Sequence, residues 1–409
     1  MRRDAELDRR LSELRAPDED AAEARAWEVV SAAYADRAPA PRPVRGRRFA
    51  LALAAAVAVL AVGLSPAGAA VADLVRSVIG TEAGDPEPSL TRLPTAGEML
   101  VESGDGVWIV REDGSKRRLG DFDEASWSPN GLFVAATDGR QLAAVDPLGE
   151  VRWAIPAPRE AHDPRWSGTD VDTRIAYRSA GDLRVVAGDG TGDALVARDV
   201  SPIAPAWRPA PEAKLGPELG SRTHVLAYAA SASSVRITDT DGGDVLRRIV
   251  IPGRAPIDEI EFSADGSFLL VRTGDALLAF EPEGGRLAWR SSMETSAAAL
   301  SPDGRHVATI TQPDEPNGES RLVLIDAGTG EERRLPAGLG RFTDIAWSPD
   351  GRWLVLGWTA ADQWLFVRVR GNRPGRVIAV GGISRQFAPG SGAEASFPGI
   401  AGWMLTDPP

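Results

Sequence analysis

The sequence predicts an all-β fold, a seven-bladed β-propeller closed by its own N- and C-terminal strands, preceded by a transmembrane helix and a short helical cytoplasmic segment. Three observations predict it. A strand–turn–strand phrase recurs along residues 95–409, with spacings that suit a four-stranded sheet plus its connections. The 43 Gly and 31 Pro imply many turns, hence short strands rather than long helices. One apolar stretch, residues 49–72, stands apart from everything that follows it.

Residues 1–48 carry 11 Arg against 10 Asp and Glu, so the segment is nearly neutral. Leu7, Leu11 and Leu14 recur at helical spacing, as do Trp27, Val30 and Tyr34, which predicts two short amphipathic helices. They either dock a partner or only lead into the apolar run. The 24 uncharged residues 49–72 would span about 36 Å as a helix, enough for a hydrocarbon core of about 30 Å. Arg42, Arg45, Arg47 and Arg48 crowd one end and Asp73 marks the other. The positive-inside rule then puts the N-terminus in the cytoplasm and the rest of the chain outside. A cleaved signal peptide is the competing reading, since Ala67-Gly68-Ala69 and Ala70-Val71-Ala72 resemble cleavage sites. The 48 residues ahead of the run favour an uncleaved anchor in the plasma membrane. Residues 73–94 are expected to be an extracytoplasmic linker and residues 95–409 the propeller.

In the propeller region the clearest phrases are 125–137, 260–273, 298–310 and 345–357, with weaker copies at 164–177 and 205–209. Their anchors are Trp127, Trp166, Trp207, Phe262, Leu300 and Trp347, spaced 39, 41, 55, 38 and 47 residues apart. A short apolar strand ends at a large side chain that can pack on a neighbouring sheet. Ser-Pro-Asp-Gly then turns the chain: Pro fixes φ, Asp bonds its own backbone and Gly accepts positive φ. A second hairpin follows in most copies, at 143–153, 237–249, 278–289 and 323–335, each with an acidic residue before a Gly-containing turn. Two hairpins make one four-stranded blade. Residues 397–403 echo 342–347 and end at Trp403, a seventh innermost strand, while 99–119 supply three strands without an anchor. Joined, the two ends complete one blade and remove the open edge. A β-sandwich of ordinary hairpins is the rival arrangement.

The WSPDGRWLVL and LSPDGRHVATI phrases resemble the TolB-like β-propeller repeat, a relative of the WD repeat. The hairpin LLAFEPEGGRLAW also resembles the strand pairs of quinoprotein-type propellers. Inner segment, single span and outer domain together are similar in layout to bacterial membrane-bound anti-sigma factors, although 1–48 lacks the His/Cys zinc pattern common in that group. The resemblance implies a propeller and leaves the ligand open.

The composition narrows the chemistry. Without cysteine there are no disulfides, thiolate metal sites or cysteine nucleophiles. A net charge of −12 offers no case for nucleic-acid binding. His162, His224 and His306 fall in different repeats, the latter two in apparent strands. Asp239-Thr-Asp241-Gly-Gly-Asp244 occupies the slot of an acidic turn and lacks the ligand spacing of a calcium loop. No nucleophile elbow or phosphate-binding loop occurs. No catalytic, cofactor-binding or metal-binding residue is therefore expected, no cofactor is called for, and no binding residue is singled out. A protein partner or envelope ligand is expected on the face carrying the long connections 157–164, 312–320 and 381–396, or at the channel mouth. The 12-residue insertion 210–221 is the exception among the otherwise short connections of the opposite face. The expected role is a non-catalytic binding scaffold. The alternatives are a transmembrane regulator that senses through the propeller, and a propeller hydrolase or lyase with acidic and His side chains meeting at the channel mouth.

Overall fold

The Ser-Pro-Asp-Gly turns form by the local chemistry that their composition dictates. In the copy beginning at Ser348, Gly351 N donates to Ser348 O at 2.9 Å. The Ser348 hydroxyl donates to Asp350 Oδ1 at 2.6 Å and accepts from Trp353 N at 2.9 Å. Ser301 repeats the pattern with Asp303 and His306, and Ser263 with Asp265 and Phe268. Each serine is buried, so its hydroxyl satisfies groups that water cannot reach. Gly351 takes φ 65°, which favours glycine.

The computed structural model describes residues 89–169, 171–209, 222–311, 320–335, 340–370, 373–388 and 395–406. All belong to the second of the two units into which the chain divides, Gly63–Pro409. The expected cytoplasmic segment 1–48, the apolar span 49–72 and the insertion 210–221 lie outside the described residues. Among the described residues no helix is long and apolar enough to cross a membrane.

Those residues form seven four-stranded antiparallel sheets. Strands β1 (Glu98–Ser103), β2 (Gly106–Val110) and β3 (Lys116–Gly120) open the chain. Blade 1 is β4 (Glu124–Trp127), β5 (Val134–Thr137), β6 (Gln141–Val145) and β7 (Val151–Pro156). Blade 2 is β8 (Ala161–Gly168), β9 (Thr173–Ser179), β10 (Asp182–Ala187) and β11 (Ala194–Ala197). Blade 3 is β12 (Ala206–Trp207), β13 (Val225–Ser231), β14 (Ser234–Asp239) and β15 (Val245–Val250). Blade 4 is β16 (Ile257–Phe262), β17 (Leu269–Thr273), β18 (Ala276–Glu281) and β19 (Arg286–Ser291). Blade 5 is β20 (Thr295–Leu300), β21 (His306–Thr311), β22 (Leu322–Asp326) and β23 (Glu332–Arg334). Blade 6 is β24 (Asp344–Trp347), β25 (Trp353–Trp358), β26 (Gln363–Arg370) and β27 (Arg373–Gly381). A one-turn helix, α1 (Ile383–Gln386), leads to β28 (Gly399–Met404).

Closure takes the expected form. β28 pairs antiparallel with β1, placing Trp403 opposite Met99, so blade 7 is β28-β1-β2-β3. Each of the six internal anchors ends or nearly ends the innermost strand of its blade. Alternation then decides the core: in β5, Val134 and Ala136 pack towards blade 7, while Ala135 packs towards blade 2. Seven apolar clusters result, one between each pair of neighbouring blades.

Tryptophans close the seams between blades. Trp207 Nε1 donates to Arg165 O of the preceding blade at 2.8 Å, and Trp347 Nε1 to Ala299 O at 3.0 Å. On outer strands, Trp153 Nε1 reaches Gly188 O at 2.9 Å and Trp289 Nε1 reaches Ala327 O at 2.7 Å. Trp289 also explains a glycine. Gly330 sits at φ 75°, and a Cβ there would lie 2.8 Å from the Trp289 side chain.

The packing begins before residue 95. Leu90 and Leu93 are buried in the cluster between blades 6 and 7, and Leu93 N donates to Glu112 O at 2.9 Å. The last residues of the stretch 73–94 thus dock on the propeller.

Candidate functional site

On an innermost strand, positions one and three before the anchor share a face opposite to it. In blades 1, 4 and 6 the residue three before the anchor is acidic: Glu124, Glu259 and Asp344. In blade 2 the place falls to Asp163, but β8 bulges there and Asp163 bonds Arg178 on β9 instead. One before the anchor stand Ser126, Arg165 and Glu261 in blades 1, 2 and 4. Glu102, on β1 of blade 7, joins them. Arg165 draws on both Glu102 and Glu261, and Glu259 acts on Asp344, although these pairs come from blades that are not neighbours. What innermost strands of separated blades share is the central channel, so these charges line it.

Most of the acids are already committed as acceptors. Glu102 Oε1 accepts Ala125 N of blade 1 at 2.7 Å. Glu124 accepts Asp163 N of blade 2, and its other oxygen lies 3.3 Å from His162 Nδ1. Ser126 Oγ accepts Trp166 N at 3.0 Å. Glu261 Oε2 accepts Leu300 N of blade 5 at 3.3 Å. Asp344 Oδ2 accepts Ile400 N of blade 7 at 2.6 Å, while Oδ1 takes Ile345 N at 2.9 Å. Apart from the local Ile345 bond, each crosses from one innermost strand or its partner to the next blade, stitching the ring from inside. Arg165 Nη1 donates to the carbonyl of Pro164 at 2.9 Å, while Arg178 on β9 pairs with Asp163 and Arg272 Nε on β17 donates to Glu259 Oε2 at 2.9 Å.

The carboxyls are hemmed in by protein while water still touches part of each, so their charge is desolvated without their surface being sealed. Burial pushes the Glu261 carboxyl up to about 8; the Glu259 charge adds to this, and the Leu300 N–H and Arg165 oppose it. Burial likewise pushes Glu102 up to about 7 against the Ala125 N–H and Arg165. Asp344 is raised by burial, with Glu259 contributing, against its two backbone N–H bonds. Among the described residues no group of three or more His, Asp or Glu is arranged to hold a metal ion.

The residues singled out from sequence fall elsewhere. His162 lies in β8, beside Glu124. His224 sits just before β13 rather than within it. It is 1% exposed, its Nδ1 lies 2.8 Å from Asp241 Oδ2, and its ring meets Trp207 edge-on at 6.4 Å. His306 opens β21. Asp239–Asp244 forms the β14–β15 turn, where Asp239 N donates to Asp244 O at 2.9 Å. Sequence reading missed the channel charges because polar residues on alternate strand positions look like an ordinary solvent face. Their register against the anchors was the available signal.

A family model described as the lipoprotein LpqB beta-propeller domain matches residues 282–384, from the β18–β19 turn through α1. No curated protein is similar enough to the chain to match. Solved structures that match include a chain of the mitotic checkpoint complex, 13% identical, covering 74% of this chain and 88% of that one, with a TM-score of 0.52. A chain of hydrazine synthase from Kuenenia stuttgartiensis is 17% identical over 60% of this chain and 75% of its own, with a TM-score of 0.47. A proposed 6-phosphogluconolactonase from Bacteroides uniformis is 15% identical over 70% and 97%, with a TM-score of 0.48. At these identities the likeness is one of fold alone.

Proposed function

We propose that this chain is a membrane-anchored, extracytoplasmic β-propeller that works as a non-catalytic scaffold for a protein partner or envelope ligand. The observation that carries the reading is the commitment of the channel acids. Glu102, Glu124, Glu261 and Asp344 each accept a backbone N–H of the next blade. A general acid or base drawn from this set would have to release a bond that holds the ring together. The match of 282–384 to a lipoprotein propeller domain supports an envelope setting. Anchoring through 49–72 rests on the arginine-flanked apolar run. The test is chemical crosslinking in intact membranes, followed by recovery of the full chain. A discrete envelope partner that survives stringent washing is the expected result. Robust turnover of a substrate by the purified chain, lost in Glu261→Gln and Glu124→Gln, would overturn the reading.

A further inference from the structure

Four hairpins share the serine turn, and the residue five places after the serine enters the second strand facing the next blade. At three of them that residue is aromatic and lies against the neighbouring anchor. Phe133 stacks on Trp166 with centroids 6.1 Å apart. Phe268 shares a cluster with Leu300, and Trp353 shares one with Trp403. Blade 5 departs from the pattern, with His306 in this place. The smaller polar ring faces Trp347, the anchor of blade 6, and between them opens a cleft of about 370 Å³. That is within the size range of small-ligand sites, roughly 300–1,000 Å³. It lies beside the Ser-Pro-Asp-Gly turns of blades 5 and 6.

The cleft is lined by Ser301, Asp303, His306, Trp347, Arg352 and Arg368, among others. Arg352 shares strand parity with Leu354 and Leu356, which pack towards blade 5, so it faces the cleft. Its guanidinium donates no hydrogen bond among the described residues. Arg368 borders the cleft, but it pairs in register with Trp353 and its guanidinium stands over that ring at 5.9 Å, on the side facing blade 7. The His306 ring nitrogens are also without a hydrogen-bond partner. Asp303 is the opposing charge, but its Oδ1 is committed to the Ser301 hydroxyl at 2.6 Å and to Arg305 N at 3.1 Å. The cleft thus brings together one guanidinium and one imidazole, neither hydrogen-bonded through its side chain, with an indole as its apolar wall.

We propose that this cleft binds a small organic carboxylate, its anionic end held by Arg352 and His306 and its apolar body against Trp347. The site is separate from the channel and does not depend on the scaffold reading. Benzoate is the probe and benzamide its neutral counterpart, both followed by ligand-observed NMR with the full chain. Benzoate binds saturably with Kd on the order of 1 mM, and benzamide binds about tenfold more weakly. With histidine rings labelled, the chain gives three signals, and benzoate moves that of His306 alone. Arg352→Gln weakens benzoate at least about fivefold without lowering the melting temperature. His306→Phe, which restores the aromatic found at the other three hairpins, abolishes binding and melts no lower than the parent. Absence of saturable benzoate binding, equal binding of benzamide, or full binding by His306→Phe would each overturn the proposal.

Discussion

Replacing Glu261 by glutamine separates the charge in the channel from the stitch it makes. The amide oxygen still accepts Leu300 N, so the bond to blade 5 is kept while the ionisable group is removed. In the folded chain Glu261 titrates near 8, against 4.5 for an ordinary glutamate. Between those values the native state holds a proton that the unfolded state has released. Stability from this group is therefore full below 4.5 and is lost as pH rises through about 8. The whole shift corresponds to about 5 kcal/mol at about 1.36 kcal/mol per unit. Water in the channel screens part of it, leaving about 2–3 kcal/mol. At about 2 °C per kcal/mol for a domain of this size, Glu261→Gln raises the melting temperature at pH 8.5 by about 4–6 °C. At pH 4.5, where both side chains are neutral, the difference falls below about 1 °C. Scanning calorimetry of the full chain at matched scan rates across this range reads the effect directly. An equal offset at both pH values, or a lower melting temperature for the variant at pH 8.5, would refute the account of the channel.

Three further outcomes follow from the seams and the topology. Gly192 and Gly330 both have positive φ, but a Cβ at Gly192 meets nothing within 4 Å whereas one at Gly330 meets Trp289. Gly192→Ala should cost about 1 kcal/mol and Gly330→Ala about 2–3 kcal/mol by denaturant unfolding; equal costs would remove the Trp289 contact from the argument. Trp347→Phe strands the Ala299 carbonyl, while Trp127→Phe removes an indole N–H that has no partner. The first should therefore be more destabilising by about 1–2 kcal/mol, and the reverse order would count against the seam bonds. Because the chain lacks cysteine, single thiols report sidedness. Val171→Cys, at a site 94% exposed, should react with an impermeant maleimide in intact cells, and Ser31→Cys only after permeabilisation; labelling of both or neither in intact cells would contradict the orientation.

Blade number, hairpin order and ring closure were legible because each rests on chemistry within a few residues. Ser-Pro-Asp-Gly makes its own turn, the anchor ends its own strand, and the likeness of 397–403 to 342–347 marks the closing strand. His306 was noticed from sequence, but a histidine in a strand reads as structural until its neighbours are known. Its meaning comes from Trp347 in the next blade and from the aromatic residues that fill the same place elsewhere.

The channel charges were beyond local reading. Glu102, Arg165, Glu261 and Asp344 are scattered across the propeller, and no nearby residue announces that they face one another. Composition and local pattern determined a closed ring of seven antiparallel sheets. Which charges meet at its axis, and where one seam stays open, was decided by the closing of that ring. Closure sets distances between residues far apart in the chain, and desolvation and electrostatic interaction act through those distances.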